Sequence, residues 1–383
     1  MSDSRRLLQS DEYSLRAEDL IQVIDVDLGL RGDAIKELPN MPNYPVRSLD
    51  NALGFLADLA GYGIRRVTVR MGGSRESAES GTYSFDPLFI GTEEKYRSMY
   101  TDHRFDEGAA NGQFDAYARI RDEFGANTLE IIADPFGIAP NPDGAWGVAG
   151  ANGAIDVAAT NAMTRQVATG YAAAGVNGML TMGRIDGEVA AGAGLSGHPD
   201  FRILSFSQNM ESKTAYIYLD EIDSRRDTGQ KILPGNGSEM KLRTILDLHE
   251  GADVVVVKPA ESYHMVSYTA QLLAAEIDVK SFLCSDIVAT MASGAPSVRV
   301  AVDEIMADLP AFEAKLVNAR VATYSVSGSY YLAKLLHQAK GAEFEYNYVF
   351  ESWKALRSAA GEKYFGSIDR NALWLLRQWR ARR

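Results

Sequence analysis

Cysteine is almost missing from this chain: Cys284 is the only one in 383 residues. Neither a disulfide framework nor a cysteine zinc cluster can therefore be built within one chain. Histidine is scarce as well, five residues with no close pair, which leaves no histidine metal cage. Positive charge is in short supply. The 39 Lys and Arg against 51 Asp and Glu give a net charge of −12, which lends a nucleic-acid role no support. No apolar run is long enough to span a bilayer. The opening MSDSRRLLQSDEYS lacks the hydrophobic stretch of a signal peptide. The expectation is a cytoplasmic protein with neither a nucleic-acid nor a membrane partner.

What is present is the balance of a globular protein, 46% hydrophobic and 23% charged. Short apolar runs read as strands at 20–26, 65–70, 128–134, 178–182, 202–207, 252–259 and 320–328. Between them, 49–63, 160–175 and 238–252 have helical spacing. The strand runs are rich in β-branched residues without clean alternation, which suggests parallel strands buried on both faces. Repeated βα units over this length suggest a closed (β/α)8 TIM barrel, with a doubly wound open sheet as the other arrangement. An eighth strand falls near 363–365 or within 279–288. The division expected is an N-terminal arm at 1–19 and a single barrel domain over 20–383, with a helical insertion at about 270–318.

One stretch stands out, VVVVKPAESYHM at 254–265. Four valines form a buried strand, and Lys258 ends it before a proline. The C-terminal ends of barrel strands carry the active site. A lysine in apolar surroundings has its ammonium form penalised, which makes the amine a nucleophile toward carbonyls. A lysine that merely snorkels to water would leave the same trace.

The surroundings of Lys258 resemble the porphobilinogen synthases, also called 5-aminolevulinate dehydratases. HEGADVVVVKPAESY (249–263) is similar to that family's EGAD, valine strand, VKPA and following tyrosine, here Tyr263. VATYSVSGSYY (321–331) resembles its AxYxVSGxY, and ELPNMPNYPVRSLD, IIADPFG and AAGVNGMLTMGRIDGEV follow other family segments in order. The resemblance implies a barrel that assembles into homo-oligomers, acts on an amino-ketone or keto acid through Schiff bases, and uses no organic cofactor. It implies Lys258 as the imine-forming residue and Ser327 and Tyr324 as substrate-binding residues. Tyr364 stands as a candidate for a late carboxylate-binding tyrosine, and Arg225, Arg226 and Lys231 for the basic residues of a lid.

The departures fall at chemical positions. The family's second lysine falls on Asn209, in SFSQNM, and an amide forms no imine; Lys213 lies four residues on. The aspartate of its PSD becomes Gly183, and the arginine of its DGRV becomes Glu188. The metal segment has no cysteine, so no zinc is expected there, but Asp134 and Asp143 are hard oxygen ligands of the kind Mg²⁺ takes. A strand-end cap and a loop turn explain the two aspartates equally well. Glu239 aligns with a second family Mg²⁺ position, where a helix-N-terminal glutamate is the simpler reading. Three functions follow: a Schiff-base lyase with altered substrate or product, a genuine synthase working on one lysine, or a silent ligand-binding homologue.

Overall fold

The computed structural model describes residues 13–38, 41–76, 83–86, 110–125, 127–135, 155–181, 185–195, 197–210 and 232–382. Eight parallel strands form its centre: β1 (Leu20–Asp27), β2 (Arg66–Glu76), β3 (Glu130–Asp134), β4 (Gly178–Leu180), β5 (Arg202–Asn209), β6 (Val254–Lys258), β7 (Arg320–Tyr324) and β8 (Tyr364–Asp369). Each pairs with its sequence neighbours, and β1 pairs with both β8 and β2, which closes the sheet. This is a (β/α)8 barrel, not an open sheet. Short strands at Ile35–Glu37 and Pro45–Arg47 extend β1 on one side.

Closure gives every strand an inner and an outer face. Ile21, Val23, Ile132, Leu180, Leu204, Val254, Val256, Ala322 and Ile368 meet in the interior. The alternate residues, among them Ile24, Val67, Val69, Ile131 and Met179, pack outward on the helices. The helices begin where the sequence supplies caps. Ser48 accepts from Asn51 N at 3.1 Å to open α1 (Leu49–Gly61). After α2 (Ala110–Phe124), Asp156 accepts from Ala159 N at 2.9 Å to open α3 (Val157–Ala173). A one-turn α4 (Glu188–Gly192) follows β4. Asn236 accepts from Glu239 N at 3.1 Å to open α5 (Gly237–Glu250), which ends at the left-handed Gly251. These side-chain oxygens satisfy otherwise orphaned amides.

The apolar run at 279–288 is helical. Asp278 caps Ser281 N at 2.9 Å, and polar residues at 280, 281 and 284–286 break any strand alternation. After α6 (Tyr263–Leu273), the insertion comprises α7 (Val279–Leu283), α8 (Asp286–Gly294), α9 (Pro296–Ala307) and α10 (Leu309–Leu316). It packs outside α5: Val288, Val298, Ile305, Phe312 and Leu316 share a core with Met240, Ile245 and Val257. Lys315 Nζ donates to the His249 carbonyl at 2.7 Å, and Ser297 Oγ to Asp186 at 2.5 Å. The strand expected to run to 328 stops at Tyr324, and Ser327 opens α11 (Ser327–Lys340), followed by α12 (Ala342–Ala360) and α13 (Ala372–Ala381). The part of the expected arm that is described lies on the barrel itself: Arg357 of α12 sits 4.7 Å from the Tyr13 ring.

Two predictions follow from the packing. A Cβ on Gly178 would lie 2.6 Å from the Arg202 carbonyl oxygen on the neighbouring strand. Gly178→Ala should therefore cost about 1–3 kcal/mol by chemical denaturation, whereas Gly54→Ala, with open space around it, should be neutral or stabilising by a few tenths. Glu250 accepts from Gly187 N at 3.1 Å and Ala190 N at 3.3 Å. Burial, then the charge of Asp247, pushes its carboxyl up to about 7 from 4.5. The folded state thus holds a proton that the unfolded state has lost. Its contribution is fully present below pH 4.5 and is lost as pH rises toward 7. Glu250→Gln should flatten that decline in a series of melting curves across this range.

Candidate active site at the barrel mouth

The C-terminal ends of the strands carry the chemistry, and alternation decides which residues face inward. On β6 the interior residues are Val254 and Val256, so Lys258 is the next to point in. It is 4% exposed, with Nζ 5.0 Å from the Phe206 ring centroid and 5.2 Å from that of Tyr324. The two rings meet edge to face, centroids 5.5 Å apart. Rings this close stabilise a cation over their faces.

Asn209 stands directly beside Lys258 in the strand register. It gets there through an irregularity in β5, where the pairing shifts between Ser205 and Gln208. The outward residues explain the shift. Ser205 donates to Asp247 on α5, and Gln208 Nε2 donates to Thr244 at 2.7 Å and Thr269 at 2.6 Å. With Gln208 held outward, Asn209 turns inward. Its amide is buried, and neither Nδ2 nor Oδ1 has a hydrogen-bond partner.

Across the mouth, Asp25 of β1 and Arg70 of β2 are register neighbours. Arg70 donates Nε to Asp25 Oδ1 at 2.7 Å and Nη2 to Oδ2 at 2.6 Å, a buried bidentate pair. Asp134 ends β3 beside Arg70 in register and is also buried. Tyr44 reaches the same interior, with its hydroxyl buried and unpartnered. Burial, then Asp25, pushes its phenol well above the ordinary value, so it remains a donor. Arg370, just past β8, lies 5.4 Å from the Tyr44 ring and 5.8 Å from the Tyr324 ring. Tyr44 lies in the family-like ELPNMPNYPVRSLD, though not as a site candidate, while Arg370 and the Asp25–Arg70 pair belong to none of the motifs quoted; their polarity next to apolar strands was the available signal.

The candidates from sequence divide as follows. Lys258, Asn209 and Tyr324 come together. Ser327 is buried at the N-terminus of α11, after the strand that carries Tyr324. Tyr263 opens α6 and lines a cavity outside the barrel, with Glu261, Trp353 and Asp369, rather than the mouth. Tyr364 is the first residue of β8, at the opposite end of the barrel from Lys258, and lines a cavity there with Arg65 and Arg66. The strand begins at Tyr364, so the structure does not bring it together with Lys258. Glu239 accepts from Asn236 Nδ2 at 2.6 Å and serves the start of α5. Thr181 Oγ1 accepts from Phe206 N at 3.1 Å and ties β4 to β5. Asp143, Lys213, Arg225, Arg226 and Lys231 lie outside the described residues. Among the described residues no three His, Cys, Asp or Glu side chains converge as metal ligands; of the two aspartates expected to take Mg²⁺, only Asp134 is among them.

The family model for delta-aminolevulinic acid dehydratase matches residues 88–308, more than half of the chain. The chain belongs to that family. The delta-aminolevulinic acid dehydratase of Mycobacterium leprae (strain TN) is 32% identical over 135 residues, which is 33% of this chain and 40% of that protein. Its counterpart in Mycobacterium tuberculosis (strain CDC 1551 / Oshkosh) is 34% identical over 128 residues, 31% and 38% of the two chains. The matched stretch thus spans about 40% of the curated relatives' length. Among solved structures, the Toxoplasma gondii ME49 enzyme in complex with its reaction product porphobilinogen covers 97% of this chain and 87% of its own, with a TM-score of 0.67. At 19% identity that likeness supports the fold.

The buried, unpartnered amide beside Lys258 carries a stability cost, since an unmet buried polar group forfeits its hydration. Asn209→Leu, which keeps the γ-branched shape though with larger bulk, should raise stability by about 1–2 kcal/mol in urea denaturation where the mouth has room for the methyl groups. A loss of stability would show that the amide is satisfied in the folded protein.

Proposed function

We propose that this protein is a Schiff-base lyase that condenses and dehydrates an amino-ketone or keto acid such as 5-aminolevulinate, with Lys258 as its one imine-forming residue and a substrate or product altered from the family's. The observation that carries the reading is the pairing of Lys258 with Asn209 at the closed barrel mouth. A lysine buried over two aromatic rings serves no structural purpose there that an apolar residue would not serve better. Beside it, an amide replaces the second amine.

The chemistry follows from these groups. The neutral amine of Lys258 attacks the carbonyl carbon, forming a C–N bond while the carbonyl electron pair moves to oxygen, which takes a proton. Loss of water gives the protonated imine. The imine draws electrons from the adjacent C–H bond, so that loss of that proton yields an enamine able to attack a second carbonyl. Asn209 offers a donor and an acceptor to the oxygen that leaves as water, or to a second substrate held without a covalent bond. Ser327, at the positive end of α11, suits a carboxylate. By family resemblance the working form is a cytoplasmic homo-oligomer.

A genuine porphobilinogen synthase running on one lysine is the second reading, favoured by the same pairing, because one imine suffices to activate one of two identical substrates. Borohydride trapping with 5-aminolevulinate, read by intact mass, separates the possibilities. We expect a single adduct, lost in Lys258→Ala, with no porphobilinogen in the untrapped reaction. An adduct together with porphobilinogen would establish the one-lysine synthase. Absence of an adduct with 5-aminolevulinate and with a panel of other keto acids would leave a silent homologue.

A further inference from the structure

The mouth contains a second buried group without the partner its chemistry demands. Arg370 is 7% exposed and always charged. Among the described residues it makes no ion pair. Its guanidinium has one hydrogen bond, from Nη1 to the Ser325 carbonyl at 3.2 Å, and Nε is buried without a partner. The contrast with Arg70 is direct. Arg70, across the same mouth, is neutralised by both oxygens of Asp25. Tyr324, Tyr44 and Asp25 favour its charge from a distance, but Asp25 is already held by Arg70; a buried charge without a contact ion pair is costly, and a ligand carboxylate would supply that contact.

Position and rigidity point the same way. Gly366 and Ile368 of β8 pair with the inward residues Ala322 and Tyr324 of β7, so alternation aims the residue two further on, Arg370, into the mouth. The backbone around Arg370 is pinned. Its carbonyl accepts from Gln22 Nε2 at 2.9 Å, Gln22 Oε1 accepts from Leu373 N at 2.9 Å, and Asp369 Oδ1 accepts from Asn371 N at 2.6 Å. The Tyr324 ring lies 5.8 Å from the guanidinium carbon and 5.2 Å from Lys258 Nζ, so one ring is close to both groups. Both groups therefore border the same ring, which places a carbonyl held at Lys258 and an anionic end held at Arg370 on one compact molecule.

We infer that Arg370 binds the carboxylate of the carbonyl compound held at Lys258 and selects keto acids against neutral ketones. The inference rests on the imine reading for the position of the carbonyl. The guanidinium fork matches a carboxylate in plane, with the free Nε as one of the two donors. Tyr44, a donor with no partner, stands against the same guanidinium.

The test uses the full chain and two ligands of similar shape: levulinate, and isoamyl methyl ketone, in which an isopropyl group replaces the carboxylate. Borohydride trapping gives the half-saturating concentration of each. Arg370→Met should raise that of levulinate about ten- to a hundredfold and leave that of the ketone within about twofold, and Arg370→Lys should fall between Arg370→Met and wild type. A merely structural residue would not discriminate between the ligands. Equal losses for both, or no loss for either, overturn the proposal. Arg370→Met removes an unpaired buried charge, so its melting temperature should not fall; a large fall would assign the residue to the fold and overturn the proposal as well. Calorimetric binding of levulinate to Lys258→Ala, which forms no imine, separates this inference from the one it rests on. Binding present in Lys258→Ala and lost in the double variant with Arg370→Met supports the arginine even if the wild-type protein traps no adduct. Binding that survives Arg370→Met in that background, or levulinate that neither binds nor traps, overturns it.

Discussion

The closing of β1 onto β2 is the constraint from which the mouth derives. In a closed parallel barrel the side of each residue is fixed by its parity along the strand, because the interior admits only alternate side chains. The interior residues of the lower layers are Ile, Val, Leu and Ala. The next inward position on strand after strand is polar: Asp25, Arg70, Asp134, Asn209, Lys258, Tyr324 and, just beyond β8, Arg370. The apolar layers fill the bottom and leave the chemistry to the open end. Each functional side chain is thus placed by the strand beneath it, on the stiffest part of the molecule, and not by a loop.

One strand reaches this layer by an irregularity. Without the register shift in β5, Asn209 would not share a face with Lys258. The shift depends on residues that never see the mouth: Ser205 on Asp247, Gln208 on Thr244 and Thr269. A bulge that re-aims a side chain beside an active site is a designed feature of sheets. The consequence is chemical. Two amines side by side would each raise the cost of charging the other. An amide leaves Lys258 as the one amine on that wall and offers a donor and an acceptor that do not titrate. Arg370, close to the same Tyr324 ring, then makes the site asymmetric, a nucleophile at one place and a fixed charge at the other.

Much of this was legible in the sequence. VVVVK gave both a buried parallel strand and the end at which its lysine sits, because a lone polar residue closing an apolar run marks the barrel rim. The same signal was present in LIQVIDVD and RRVTVR, where Asp25 and Arg70 end apolar stretches, but a pair separated by a whole βα unit is visible only once β1 and β2 are side by side. The eighth strand was harder. YFGSID is short, carries a glycine and is irregular in its pairing with β7, so hydrophobic pattern alone placed it too early. The strand runs from Tyr364 at the base of the barrel to Asp369, and Arg370 follows at the rim, a position no motif marked. The helical insertion was expected in outline; that it lies outside α5 depends on contacts such as Ser297 with Asp186 that no periodicity encodes.

The mouth also shows where local consistency was given up. Elsewhere several helix starts are capped, and Ser205 and Gln208 of β5 donate to the helices. Buried side-chain atoms without a hydrogen-bond partner among the described residues are scattered through the fold, on Thr68, Tyr268, Trp353 and Arg357 among others, and Asn209, Tyr44 and Arg370 bring three of them to the mouth. Sequences that otherwise agree with their fold break local rules at functional sites, and the stability lost there is held by the remainder of the structure. Three unmet groups of different character lie around one lysine: an amide that gives and accepts, a phenol that gives, and a permanent cation. A nonpolar ligand would satisfy none of them. A small, polar, anionic carbonyl compound would satisfy all three while presenting its carbonyl to Lys258. The proposed ligand is thus one whose donors, acceptors and charge match the groups that border Lys258.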